Sequence, residues 1–396
     1  MRIRYGTENN GKPVKKAIVY TQNEHGINFA DVDNDAVFIT ERLQAEGFET
    51  YIVGGAVRDL MLRKRPKDFD IVSEASPTRI KRIFRNSRVI GRRFRLVHVY
   101  FGPKIFEVST FRSLKDGLTS NTYGTIEEDV LRRDFSLNAL FYDPGKQVVV
   151  DYVGGVKDIK NRLIRPIIPL SYIFKDDPVR MIRAMKYAAA TGFKLPLTLR
   201  WKIRKQAFLL EPVSPSRLTE EIFKIIQSPY AAPIIQSLES FGLYRYIQPN
   251  ASRLMQENEG FRVRYLKGLG ELNRDAAAKP GETLAALIRD YLEDFVDWNA
   301  EGITENYRNA FMGARQFVLP MNPPRVELDH AVRLLFAEHG QNVKKIRFFE
   351  RGKPRMQESE ALAADFSDPQ AAPAGEGAAK RRRRRRRKPR SNTTPQ

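Results

Sequence analysis

Residues 51–74, YIVGGAVRDLMLRKRPKDFDIVSE, hold the densest chemical information in the chain, and the other segments are read outward from them. The apolar run Tyr51-Ile52-Val53 predicts a buried strand ending in Gly54-Gly55. Val57, Leu60 and Met61 recur at helical spacing, so a helix opens directly behind the glycines. A turn without side chains lets backbone approach a phosphate closely, and the first N–H groups of a helix point at such a group. Arg58, one turn in, can add a charge-assisted fork to the same phosphate. After a basic turn over residues 63–67 comes Asp68-Phe69-Asp70-Ile71-Val72. On a strand, residues two apart share a face, which puts Asp68 and Asp70 together with Phe69 and Ile71 behind them.

Two carboxylates side by side are hard oxygen ligands suited to Mg²⁺. Beside a phosphate-binding turn they point to two-metal phosphoryl or nucleotidyl transfer. Asp-x-Asp alone is an ordinary surface pattern, and the glycines and Arg58-Asp59 just ahead make it specific. With Gly-Gly-x-Val-Arg-Asp-x-x-Leu followed by Asp-x-Asp, the chain resembles the nucleotidyltransferases that extend RNA 3′ ends, namely bacterial poly(A) polymerases and bacterial-type CCA-adding enzymes. That resemblance implies an α+β fold. A polymerase-β-like nucleotidyltransferase head on a small mixed sheet would be followed by an all-helical neck and body and a disordered basic tail. The expected division is 1–32 as an N-terminal extension and 33–165 as the catalytic head. Residues 166–245 would form the RNA-binding neck with its base-recognition helix, 246–355 the helical body, and 356–396 a disordered linker with an arginine-rich tail.

A chain of 396 residues is long enough for two or three modules with cores of their own. It has no cysteine, which removes disulfides and thiolate metal sites and fits a reducing cytoplasm. The four histidines (His25, His98, His330, His339) have no zinc-type spacing. No apolar run approaches a membrane span and no signal-peptide core opens the sequence, so a soluble cytoplasmic protein is expected. The formal net charge is +21; residues 380–390 supply ten positive charges, leaving +11 on the rest. Such an excess favours a polyanionic partner, most simply nucleic acid. In the tail, Lys380, Arg381, Arg384, Arg387, Lys388 and Arg390 are candidates for salt-dependent binding to the RNA backbone.

Two further motifs add site residues. In Ile105-Phe106-Glu107-Val108, alternation turns Glu107 away from Phe106 and Val108, and if this strand neighbours Asp70, Glu107 becomes the third carboxylate. In the family an acid just before Thr-Phe-Arg holds that place, here ahead of Thr110-Phe111-Arg112, which brings Arg112 into the nucleotide-binding set. The second motif is Arg132-Arg133-Asp134-Phe135-Ser136-Leu137-Asn138. Arg132 or Arg133 can neutralise phosphate while Asp134 or Asn138 bonds a ribose hydroxyl, and Asp134 can instead assist catalysis. Locally the same residues also fit a charged helix start capped by Asp134. The resemblance assigns them to the triphosphate and ribose.

A helix is predicted from an Asp177 cap and Pro178 to a stop at Gly192, with Asp177, Arg180 and Arg183 on one face. In the relatives this helix reads the incoming base through an acid and an arginine. An Asp–Arg pair can satisfy either adenine or cytosine, so these residues leave the base open. Arg217 and Glu221, spaced i,i+4, are expected to pair with each other. Beyond residue 230 the chain reads as helical, interrupted by aromatic stretches at 291–298 and 307–317.

The function expected is template-independent polyadenylation of RNA 3′ ends, with ATP as substrate and two Mg²⁺ held by Asp68, Asp70 and Glu107. The substrates would be single-stranded ends of mRNA or other transcripts. No membrane is involved, and RNA-decay proteins stay open as partners. CCA addition to tRNA is the alternative. Three stretches favour polyadenylation through their likeness to the poly(A) branch: residues 89–99, Glu24-His25-Gly26-Ile27, and the arginine-rich tail. A catalytically inactive RNA-binding protein is the reading from another class; it would be marked by loss of a metal carboxylate or a phosphate-binding glycine. Gly54, Gly55, Asp68, Asp70 and Glu107 are all present.

Overall fold

The computed structural model describes residues 2–7, 13–91, 96–113, 122–272 and 279–343. The tail residues proposed for RNA binding, the turn at 92–95 and the centre of the loop after Arg112 lie outside them. Nine strands occur among the described residues: β1 (Arg2–Thr7), β2 (Pro13–Tyr20), β3 (Thr50–Val53), β4 (Asp70–Ser73), β5 (Ser87–Ile90), β6 (Leu96–Phe101), β7 (Lys104–Thr110), β8 (Leu140–Asp143) and β9 (Val148–Asp151). They form one mixed sheet in the order β1-β2-β9-β8-β3-β4-β7-β6-β5.

The apolar runs of β3 and β8 are buried throughout, as expected for strands paired on both sides near the centre of a sheet. Tyr51, Val53, Val72, Phe141 and Val150 join Phe111 in one core cluster, onto which the Ile126–Arg132 helix packs Ile126 and Val130. The pairs along the sheet are antiparallel except β4 with β7, which run parallel and set Asp70 opposite Glu107.

The sheet is larger than the small one expected, because the described part of the 1–32 extension contributes two strands. β1 and β2 form a hairpin, and Ile18–Tyr20 pair with Val149–Asp151 of β9. The apolar residues of β1, Ile3 and Tyr5, are exposed and Ala17 of β2 is buried, as fits a hairpin at a sheet edge that needs few buried residues.

The remainder is helical. Val179–Thr191 buries Val179, Met181, Ile182, Ala184 and Met185, and Gly192 ends it at φ 71°, a left-handed position that favours glycine. Asp177 Oδ1 accepts from the Val179 N–H at 3.2 Å, so the acid sits at the helix start as predicted. Of the two aromatic stretches, 307–317 lies inside the Ile303–Phe317 helix and does not interrupt it, while 291–298 runs over the end of Pro280–Phe295 into the break before the next helix. Tyr291 lies within Pro280–Phe295 and stacks on Phe295 and on Phe317 of Ile303–Phe317, with ring centroids 5.2 and 4.4 Å apart. No described helix is long and apolar enough to cross a membrane.

Candidate active site

The strand-to-helix turn is built as the glycines require. Gly54 caps the Gly55–Met61 helix at φ 78° and ψ −133°, a conformation nearly confined to glycine. A Cβ at Gly54 would lie 3.6 Å from Asp70 Oδ2, so the turn and the acid are neighbours.

Asp70 opens β4, and Asp68 precedes the strand instead of lying within it. Asp70 faces Glu107 across the parallel pair, and Glu107 Oε1 is 3.4 Å from His98 Nε2 on β6. The Asp70 side chain is reachable by water yet crowded by protein on most sides. That crowding pushes its carboxyl up to about 6, with Glu107 and then Asp68 adding like-charge repulsion that Arg133 only partly offsets. Among the described residues no three acids, histidines or cysteines converge on one point as placed. The donor chemistry nevertheless fits a divalent cation: hard oxygens, crowded and mutually repelling, are relieved when a cation shares them.

Beside this turn lies a cavity of about 400 Å³, lined by Gly54, Gly55, Arg58, Arg132, Arg133, Asp134, Asn138, Arg180, Arg183 and Tyr187. Five arginines against one acid make it a strong anion trap. Its arginines are held before any ligand arrives. Arg58 donates from Nε and Nη2 to Asp59 at 2.8 and 3.0 Å and from Nη1 to Asn138 Oδ1 at 2.8 Å. Arg133 donates from Nε and Nη2 to Asp129 at 3.1 and 2.8 Å, and its guanidinium lies 5.1 Å from the centre of the Phe141 ring. A guanidinium has five N–H donors, so both forks keep some for a ligand. Arg132 donates from Nη1 to the Ser113 carbonyl at 2.6 Å.

Asp134 does not cap a helix start. The helix, capped by Thr125, has already ended at Arg132, and Asp134 leads into a short 3₁₀ turn at Ser136–Asn138. Its Oδ1 accepts from the Phe135 N–H at 2.7 Å, and its Oδ2 accepts from the Tyr187 hydroxyl at 3.4 Å. Arg112 is not among the cavity's lining residues. Its N–H lies 3.4 Å from Asp129 Oδ1.

The three residues predicted to share a helix face are handled differently from one another. Asp177 does not line the cavity: Arg217 Nη2 donates to both of its oxygens at 2.9 Å. Arg180 lines the cavity but is buried and bonded to Asp176 and to the Ile173 carbonyl. Arg183 lies 4.0 Å from Asp134 and 3.4 Å from Glu221. Burial opposes the charge on Arg183, but Tyr187 and Asp134 more than compensate and hold it firmly protonated. The expected Arg217–Glu221 pair is not formed, because each residue finds a partner on or beside the Val179–Thr191 helix. Glu221 is buried and instead holds Lys186 at 2.8 Å as well as Arg183.

Four residues of interest escaped the sequence reading or were misplaced by it. Tyr187 stands one turn beyond Arg183, and Asp129 one turn before Arg133, so i,i+4 spacing was a usable signal for both. Glu221 was noticed but given the wrong partner. The fourth is Trp201 in the Leu197–Gln206 helix, whose sequence LTLRWKIRKQ carries four cations and no acid. Leu197, Trp201 and Phe208 are 76%, 60% and 55% exposed, and Lys205 Nζ lies 4.7 Å from the centre of the Trp201 ring. Aromatic and basic residues interleaved on one exposed face are a nucleic-acid signature.

Comparison with known proteins follows the same lines. A family model described as "Poly A polymerase head domain" matches residues 50–165, and one described as "Probable RNA and SrmB- binding site of polymerase A" matches residues 192–255. Poly(A) polymerase I of Escherichia coli O6:H1 is 36% identical over 323 residues, covering 76% of this chain and 70% of that protein. A CCA-adding enzyme of Geobacillus thermodenitrificans is 35% identical over 218 residues, covering 54% of each chain. Among solved structures, the Bacillus stearothermophilus CCA-adding enzyme in complex with CTP superposes with a TM-score of 0.52 at 25% identity, over 76% of this chain and 82% of that one.

Proposed function

The chain belongs to the poly(A) polymerase family, and on that premise we propose that it extends RNA 3′ ends with adenylates from ATP, without a template, and releases pyrophosphate. The observation that carries the mechanism is the junction at Gly54, where the arginine-lined cavity meets the Asp70–Glu107 pair. Asp68, Asp70 and Glu107 would hold two Mg²⁺, which when bound supply polarisation of the primer 3′-hydroxyl and charge compensation for the departing pyrophosphate. Arg58, Arg132 and Arg133 clamp the triphosphate, and their fixed partners mean little rotamer freedom is lost on binding. Asp134, oriented by the Tyr187 hydroxyl and the Phe135 N–H, accepts from a ribose hydroxyl, with Asn138 beside it. Arg180 and Arg183 face the base, and Asp177 joins them once Arg217 yields it. The Leu197–Gln206 helix, inside the segment matched by the RNA-binding family model, and the basic tail hold the transcript.

Polyadenylation is favoured over CCA addition because similarity to a poly(A) polymerase runs across 76% of the chain, against 54% for the CCA-adding relative. The test is incorporation on an oligo(A) RNA and on a tRNA lacking its CCA end, each with ATP, CTP or both. Long ATP-only tails on both primers are expected. Two cytidylates and one adenylate added only to the tRNA would replace this reading with CCA addition. Asp68→Ala with Asp70→Ala should abolish addition while RNA binding persists; surviving activity would sink the metal-site assignment.

A further inference from the structure

Two cavities adjoin the acids. Gly54, beside Asp70, belongs to the arginine-lined one, and Asp68 opens onto a second, larger cavity of about 960 Å³. Its rim is the basic turn between the Gly55–Met61 helix and β4, and Phe69 and Ile105 supply apolar wall. Some cations on this rim are already spent. Lys104 donates to Asp33 and Asp35 at 2.8 and 2.9 Å, and Lys64 to the Ala190 carbonyl at 2.6 Å. Arg63, Arg65 and Lys67 are exposed, and none of their side chains forms a hydrogen bond or ion pair with the described residues.

In-line displacement at the α-phosphate requires the attacking hydroxyl to enter from the side opposite the pyrophosphate. With the triphosphate clamped in the arginine cavity, the second cavity, which Asp68 lines, offers an approach for the 3′ end among the described residues. Uncompensated cations beside exposed apolar surface are the combination that tracks a single-stranded backbone while giving its bases something to lie on.

We propose that this second cavity is the primer groove: Arg63, Arg65 and Lys67 bind the phosphodiester backbone just upstream of the RNA 3′ end, and Phe69 and Ile105 pack against its last bases. The proposal rests on the nucleotidyltransferase reading of the Asp70 site. Lys104 and Lys64 brace the groove through their partners, leaving the other three for the RNA.

The test is the double variant Arg65→Ala/Lys67→Ala in steady-state extension of oligo(A), with primer and ATP varied separately. The KM for primer should rise about tenfold with the KM for ATP unchanged. The salt slope of log(kcat/KM) for primer should flatten by about 1.4, two contacts at about 0.7 each for a single strand. An unchanged primer KM and slope, or an equal rise in both KM values, overturns the groove. A second measurement leaves the protein unmutated: an RNA with 5-iodouridine two nucleotides from its 3′ end should photocrosslink within residues 63–69. A crosslink confined to the Leu197–Gln206 helix overturns the proposal. If the wild-type protein adds no nucleotide at all, the enzymatic reading fails, while the crosslink still reports on the groove.

Discussion

Replacing Glu221 with glutamine removes the carboxylate around which three cations of the neck gather. Glu221 is buried, accepts from Lys186 Nζ at 2.8 Å and lies 3.4 Å from Arg183 Nε. Burial would raise its carboxyl, but Lys186, Arg183 and Lys224 pull it below the usual carboxylate range. Lys186 is itself drawn down, by burial first and then by Lys224 and Arg183, more than Glu221 restores it. The two shifts agree once the cluster is seen as cation-rich, with one acid serving several bases. Breaking a buried pair costs about 3–5 kcal/mol, and since glutamine keeps an acceptor the lower end applies, about 3 kcal/mol. With an unfolding entropy of about 2.1 cal/mol/K per residue, a chain of 396 residues shifts by about 1.2 °C per kcal/mol, so the midpoint of thermal unfolding should fall by roughly 4 °C. Arg183 also loses a tether at the nucleotide cavity, so the KM for ATP should rise while that for primer holds. Adding Lys186→Met should recover much of the stability, since an apolar replacement removes the orphaned charge, but not the affinity for ATP. The checks are calorimetry of the three proteins and single-nucleotide incorporation. A Glu221→Gln protein melting within about a degree of wild type, with the double variant no better, refutes the reasoning. The pH dependence gives a second check. A carboxyl lowered by folding adds stability that is present above its unfolded value, about 4.3, and is lost as pH falls through its folded value. The acid-side fall in midpoint should therefore be shallower in Glu221→Gln.

Other outcomes follow from single sites. Gly54→Ala places a side chain at φ 78°, ψ −133°, where contact with Asp70 is ordinary and backbone strain dominates; about 1–3 kcal/mol of stability and at least about tenfold in kcat should be lost, measured by melting and incorporation. Asp70→Asn should eliminate activity and yet raise the melting midpoint of metal-free protein at pH 7. A carboxyl raised to about 6 on folding contributes stability below its unfolded value that is lost as pH rises through about 6, and asparagine lacks that loss. Calorimetry in chelator from pH 4 to 7 tests it, and a lower midpoint for Asp70→Asn at pH 7 would contradict the crowding argument. Trp201→Ala should raise the KM for primer about 5- to 150-fold, the range for losing one stacked base, with the KM for ATP and the melting midpoint unchanged because the ring is already exposed.

What the sequence made legible was whatever depends on short-range pattern. Alternation in Ile105–Val108 was enough to orient Glu107, and the β4–β7 register then set it opposite Asp70. Gly54-Gly55 announced a turn that only glycine can make there. The N-terminal hairpin was hidden because its hold on the sheet is the short pairing of Ile18–Tyr20 with β9, too brief to impose a periodic apolar signal. The charge pairing over residues 177–221 was misread for a different reason. Charged side chains of the neck choose partners by three-dimensional proximity, and i,i+4 spacing is only one competitor. Arg217 reaches Asp177 forty residues away, and Glu221 reaches Lys186 thirty-five residues away.

These long-range choices bear directly on how a base is selected. Asp177 has both oxygens engaged by Arg217, and Arg180 is braced by Asp176, so each would meet a base as part of a network and not as a lone hydrogen-bonding edge. The Val179–Thr191 helix is also tied to the head. Tyr187 donates to Asp134, the Arg58 guanidinium lies 5.5 Å from the centre of the Tyr187 ring, and Arg183 lies 4.0 Å from Asp134. The groups assigned above to triphosphate and ribose therefore share partners with those assigned to the base. A substitution at Arg217 or Glu221, neither of which lines the cavity, should shift the ratio of ATP to CTP incorporation through Asp177 and Arg183. A substitution at Asp59, which orients only Arg58, should lower both nucleotides equally. Measuring the two ratios side by side separates selection by a network from selection by one Asp–Arg pair, because a lone pair predicts no change in ratio for Glu221.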